Sequence, residues 1–169
     1  MWRNGERFPK EQSKLFAPSS QLRAMGILAR EVKIACAMDN SDGLLATLEQ
    51  LSRTNGLRIE LDLARLGVPG TTLSPIEQAR LWMGWGDWNV VLAVSPTDVE
   101  TIESVSRSHR IDVFQIGRCS PDSPEVRLVA DGNGTPAPRL ESERFAKDSW
   151  FAEGIDGYIM RLQSLEMHV

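Results

Sequence analysis

The chain is poor in the residues on which nucleophilic, metal and disulfide chemistry most often rests. It has two cysteines, Cys36 and Cys119, and two histidines, His109 and His168. Two isolated cysteines make no disulfide framework, and nothing beside them has metal-ligand spacing. A reducing, cytoplasmic compartment is therefore the expected one. Neither histidine has a matched serine or cysteine, so no nucleophile triad is expected. His109 follows a helical stripe and reads as a surface residue, and His168 lies in the tail. No apolar run approaches the roughly 20 residues that span a bilayer. The start, Met1 to Arg7, has no apolar core and is not expected to act as a secretory signal. Positive charge is also short: Lys and Arg number 19 against 23 Asp and Glu, for a net charge of -4. Sequence-independent nucleic-acid binding needs a basic face, which this balance does not supply. Neither membrane nor nucleic acid is expected as a partner.

What is present is ordinary for a globular chain, with 41% hydrophobic and 25% charged residues. At 169 residues the length suits about one domain with a real core. Residues 1–18 are polar and broken by Pro9 and Pro18, and read as an irregular arm or linker. The domain proper is expected over 19–169. Ser19 and Ser20 can cap a helix that buries Leu22, Met25 and Leu28 and ends near Arg30. Lys33 to Met38 is short and apolar, which predicts a buried strand. Ser41 is placed to cap a second helix with a stripe of Leu44, Leu45, Leu48 and Leu51, stopped at Gly56.

The clearest segment follows. Leu57, Ile59, Leu61 and Leu63 alternate with Arg58, Glu60 and Asp62, which is a strand with one buried face. Pro69-Gly70 marks a turn. Ser74-Pro75-Ile76-Glu77 is a capping box that starts a helix running to about Met83. Trp88 to Val94 is a valine-rich strand. Ser95-Pro96-Thr97-Asp98 starts another helix, whose core stripe is Val99, Ile102 and Val105. Ile111 to Ile116 and Val126 to Val129 are two further strands, and Phe151 to Leu165 a terminal helix weakened by Gly154 and Gly157. Strands alternating with helices, closed by two consecutive strands, predict an α+β domain: a mixed sheet covered by helices.

Two segments carry candidate chemistry. In Asp39-Asn40-Ser41-Asp42-Gly43 a strand meets a helix start, where backbone N–H groups lack internal partners and favour an anion. Asp39 and Asp42, three residues apart, would repel bare phosphate but suit Mg²⁺, which takes one or two carboxylates plus phosphate oxygens and water. Gly43 permits close approach of a ligand to the backbone. The same residues also read as plain helix capping by Asp39 and Ser41, with Asp42 complementing the dipole. In Met83-Gly84-Trp85-Gly86-Asp87-Trp88, glycines flank aromatics and a carboxylate. Asp87 is placed to bind a substrate hydroxyl or amine, and Trp85 or Trp88 to stack on a ring; alternatively both tryptophans fill the core. Gly132-Asn133-Gly134 has neither a following helix nor a lysine, and reads as a loop rather than a phosphate cradle.

Ala35 to Leu45, read as a whole, resembles the Asp-x-Ser-Asp-Gly-Leu segment of the AIR synthetase-related superfamily, and within it follows the thiamine-monophosphate kinase pattern. Gly56 to Leu63, Gly84 to Val94, Ser95-Pro96 and Ile116-Gly117-Arg118 extend the resemblance in order from about residue 20 to 132. The resemblance implies an α/β/α layered sandwich and the C-terminal one of two domains. It implies an N-terminal ATP-binding domain or subunit as partner, a possible homodimer and a small-molecule substrate. Carried over residue by residue, it puts Mg²⁺ (with ATP) on Asp39 and Asp42, the nucleotide phosphate at Ser41 and Gly43, and substrate near Asp87, Trp85 and Trp88. The kinase glycine-rich segment has Glu where this chain has Gly86, and Tyr-Glu where it has Trp88-Asn89, which counts against thiamine phosphate as substrate. Two functions are thus expected. One is the C-terminal half of an ATP/Mg²⁺-dependent enzyme that works by phosphoryl transfer or a phosphorylated intermediate and is not active alone. The other is a non-catalytic metabolite- or partner-binding module derived from it.

Overall fold

The segment in which leucines alternate with charged residues forms a strand, but a shorter one than its period predicts. In the computed structural model the strand runs Arg58–Asp62, and Leu63 opens a 3₁₀ turn, Leu63–Leu66; Leu61 and Leu63 are both buried. The structure describes residues 2–3, 6–7, 20–66, 74, 77, 82–83, 89–138, 157, 160 and 164. Its strands are β1 (Trp2–Arg3), β2 (Glu6–Arg7), β3 (Ile34–Asp39), β4 (Arg58–Asp62), β5 (Val90–Val94), β6 (Gly117–Ser120), β7 (Glu125–Ala130) and β8 (Asn133–Pro136). Its helices include α1 (Leu22–Glu31), α2 (Leu44–Asn55) and α3 (Val99–His109). The fold is α+β, with the mixed sheet and covering helices that the sequence predicts. The chain forms two units: Met1–Ser41 with Gly86–Val113, and Asp42–Trp85 with Phe114–Val169.

In the first unit β3 and β5 pair antiparallel, with Ala37 opposite Leu92 and Asp39 opposite Val90. A bulge between Ile34 and Cys36 shifts the register. Helices α1 and α3 pack on each other, and Leu28, Val32 and Ile102 form a buried core. Met25, Ile34, Leu92, Val94, Val105, Ile111 and Val113 pack around it. Two expectations change here. Leu22 is 83% exposed rather than buried, because it is the first helical residue and lies before the stripe meets the core. And β3 is not a buried strand: Ala35, Ala37 and Asp39 are exposed, since β5 is its one strand neighbour among the described residues. Ser20 Oγ accepts from the Leu22 N–H at 3.4 Å, but Gln21 holds the N-cap position. Ser95 does act as a cap, accepting from the Thr97 N–H at 3.3 Å ahead of α3. Near the N-terminus, β1 and β2 pair antiparallel inside the segment expected to be irregular.

The second unit is built on a four-stranded sheet in the order β6-β4-β7-β8. β4 runs parallel to β7 and antiparallel to β6. Helix α2 lies against β4 and β7, and its stripe of Leu44, Leu45, Leu48 and Leu51 is buried, as are Leu61 and Leu128. The polar sheet positions carry paired charges: Arg118 with Glu60 at 2.5 Å and Arg58 with Asp122 at 2.8 Å. Exposed pairs of this kind contribute about 1 kcal/mol or less each. The hairpin is β7–β8, closed by Asp131 and Gly132, both at positive φ. Such a two-residue turn matches strand twist, so Asn133-Gly134 is strand rather than loop. The expected strand Ile111–Ile116 is also displaced: the strand itself is Gly117–Ser120, and of the expected residues Ile116 bonds to β4, its carbonyl accepting from the Asp62 N–H at 2.9 Å. Ile111 and Val113 are drawn instead into the core of the first unit.

The capping box at Ser74 is formed. Glu77 Oε2 accepts from the Ser74 N–H at 2.9 Å, and Ser74 Oγ accepts from the Glu77 N–H at 3.4 Å. Glu77, Trp82 and Met83 are helical, as are Gly157, Met160 and Ser164 of the expected terminal helix. Gly56 ends α2 in the left-handed region at φ 64°. Residues 8–19, the Pro69-Gly70 turn, the glycine-tryptophan segment 84–88 and His168 lie outside the described residues.

Substitutions at two glycines test this packing. A Cβ on Gly117 would sit 2.0 Å from the Glu60 carbonyl oxygen, a backbone atom that cannot yield. Gly117→Ala is expected to destabilise the protein by about 1–3 kcal/mol in urea unfolding, by forcing β6 away from β4. Gly56 has open space around it, so only its φ is at stake. Gly56→Ala should cost about 1 kcal/mol and Gly56→Asn clearly less, because asparagine tolerates the left-handed region.

Candidate functional site

Asp39 is the last residue of β3, and Ser41 follows it in the same unit. The pairing of β3 with β5 continues one step past Asp39, where the Asn40 N–H donates to the Asn89 carbonyl at 2.9 Å. Asn40 itself is buried. The start of the turn is thus pinned to the start of β5. Ser41 Oγ–H donates to Asp39 Oδ2 at 2.5 Å, the length of a charge-assisted bond to a carboxylate.

Asp42 and Gly43 belong to the second unit and lead into α2. Gly43 is the N-cap residue, with φ 98° and ψ 156°, a conformation open in practice to glycine alone. Its carbonyl accepts the first helical bond, from the Thr47 N–H at 3.0 Å. Gly43 has no side chain with which to cap this end, and the first turn holds no acidic residue. The expected capping of α2 by Ser41 is therefore not what the structure shows. The serine proton goes to Asp39, and the N-cap place is taken by Gly43, two residues later. The first-turn N–H groups of this 12-residue helix have no partners within the helix, as at any helix start.

The sequence-chosen residues fall into three sets. Asp39 and Ser41 are brought into direct contact. Asp42 and Gly43 open α2. Trp85, Asp87 and Trp88 lie outside the described residues, as does Gly86. A residue that sequence reading gave no role is Asn89, whose carbonyl anchors Asn40. Trp88 is its chain neighbour, so the tryptophan-bearing segment ends one residue from the bond that pins the Asp39 turn. The missing signal was strand direction: antiparallel pairing of β3 with β5 puts the end of one beside the start of the other. Among the described residues no group of three or more His, Cys, Asp or Glu side chains is gathered to hold a metal. By donor type, carboxylates such as those of Asp39 and Asp42 suit Mg²⁺, which keeps several waters and commonly takes phosphate oxygens as its other ligands. They do not fit a closed four-ligand structural site. His109 is the exposed last residue of α3, as expected. No helix of the described residues is long and apolar enough to cross a membrane.

Comparison with known proteins agrees with this architecture. The family model for the C-terminal domain of AIR synthase related protein matches residues 3–129. Thiamine-monophosphate kinase from Stenotrophomonas maltophilia superimposes with a TM-score of 0.59 at 18% identity, over 72% of this chain and 39% of that one. The structure of tt0281 from Thermus thermophilus gives a TM-score of 0.58 at 25% identity, over 78% of this chain and 41% of that one. The chain thus spans about two fifths of the length of either structure. No curated protein sequence matches it. With a family match over most of its length, this chain belongs to the AIR synthase related family as a C-terminal-type domain.

Proposed function

We propose that this domain is the C-terminal half of an ATP- and Mg²⁺-dependent enzyme that acts on a small metabolite, by phosphoryl transfer or through a phosphorylated intermediate. The observation that carries the reading is the Asp39–Gly43 turn, in which two carboxylates precede a helix whose N-cap residue is glycine, in a chain of this family. In this reading Asp39 and Asp42 hold Mg²⁺, and Ser41 and Gly43 stand on the phosphate side. The metal, when bound, neutralises charge on the phosphoryl group in flight. The chain's own contribution is to bring carboxylates to the metal and first-turn N–H groups toward the anion. Asp87, with Trp85 and Trp88, faces the metabolite. The rest of the nucleotide site comes from a second domain, on the same polypeptide or on another subunit. A second copy of the chain is a further candidate partner, and the cytoplasm is the compartment this chemistry suits.

A second reading has one observation in its favour. Gly86 stands where the thiamine-monophosphate kinase pattern has Glu, so a substrate-contacting carboxylate is lost. On that reading the domain binds a metabolite or partner without chemistry. Thiamine phosphate is not proposed as the ligand under either reading.

Calorimetric titration of the purified chain with ATP, with and without Mg²⁺, separates these readings. The enzyme reading expects binding that requires Mg²⁺. Asp42→Asn should weaken it by about tenfold, the low end of the effect of disturbing a metal site, with an unchanged thermal unfolding midpoint. Magnesium-independent binding, or full affinity in the Asp42→Asn variant, would remove Asp42 from the site. A variant that loses its cooperative unfolding would instead make Asp42 a structural residue.

A further inference from the structure

We draw no further inference here: the strongest candidate, the aromatic surface patch of the second unit where the exposed Phe114 ring meets Trp82 edge to face, is an apolar face with nothing in the structure to show what covers it.

Discussion

The burial of α2 against the sheet beneath it is the constraint from which the rest of its unit follows. Leu44, Leu45, Leu48 and Leu51 are all nearly inaccessible, and below them Leu61 and Leu128 are fully enclosed. Each such side chain contributes about 1.5–3 kcal/mol on burial. The exposed ion pairs on the sheet contribute little beside that sum. With α2 fixed, the direction of its first turn is fixed, and so is the point at which Gly43 must bring the chain in. A positive-φ glycine there is the geometric cost of entering a helix that is already committed to its place. The fold thus decides the backbone at Gly43.

The turn is served from its other side by a different kind of force. The β3–β5 ribbon has modest burial along β3, and hydrogen bonds hold its end in register. The Asn40–Asn89 bond extends that ladder to the edge of the motif. Asp39 and Ser41 then add a short side-chain bond to the segment.

Much of this was legible in the residues. β4 declared itself because it has one buried face, and period-two alternation is the direct record of that. Gly56 and the Ser74–Glu77 box were legible because caps are local chemistry, written within three or four residues. The Asp39–Gly43 motif was legible as a candidate for the same reason. What could not be read is what depends on distant partners. The chain from Ile111 to Ile116 has the composition of a strand, yet the strand itself begins at Gly117, because only a residue without Cβ can lie so close to the Glu60 carbonyl. The order β6-β4-β7-β8 joins strands far apart in sequence, and no local pattern encodes it. Ser41 reads as a cap because serine at a helix start usually is one. Only the position of Asp39 shows where its proton goes.

Neither unit is continuous along the chain. The polypeptide passes from one to the other after Ser41, after Trp85 and again after Val113. Strand β5 of the first unit is made only after α2 and β4 of the second, and β6 and β7 wait beyond it. A ribosome therefore releases no finished half: until residue 94 emerges, the β3–β5 ribbon is incomplete, and β4 must wait for residues beyond 117. Folding of this topology is governed by loop closure over long stretches of sequence, which slows it and leaves strand edges open in the interim. A truncation that reaches β3 from one end, or β8 from the other, leaves one of the units without a strand.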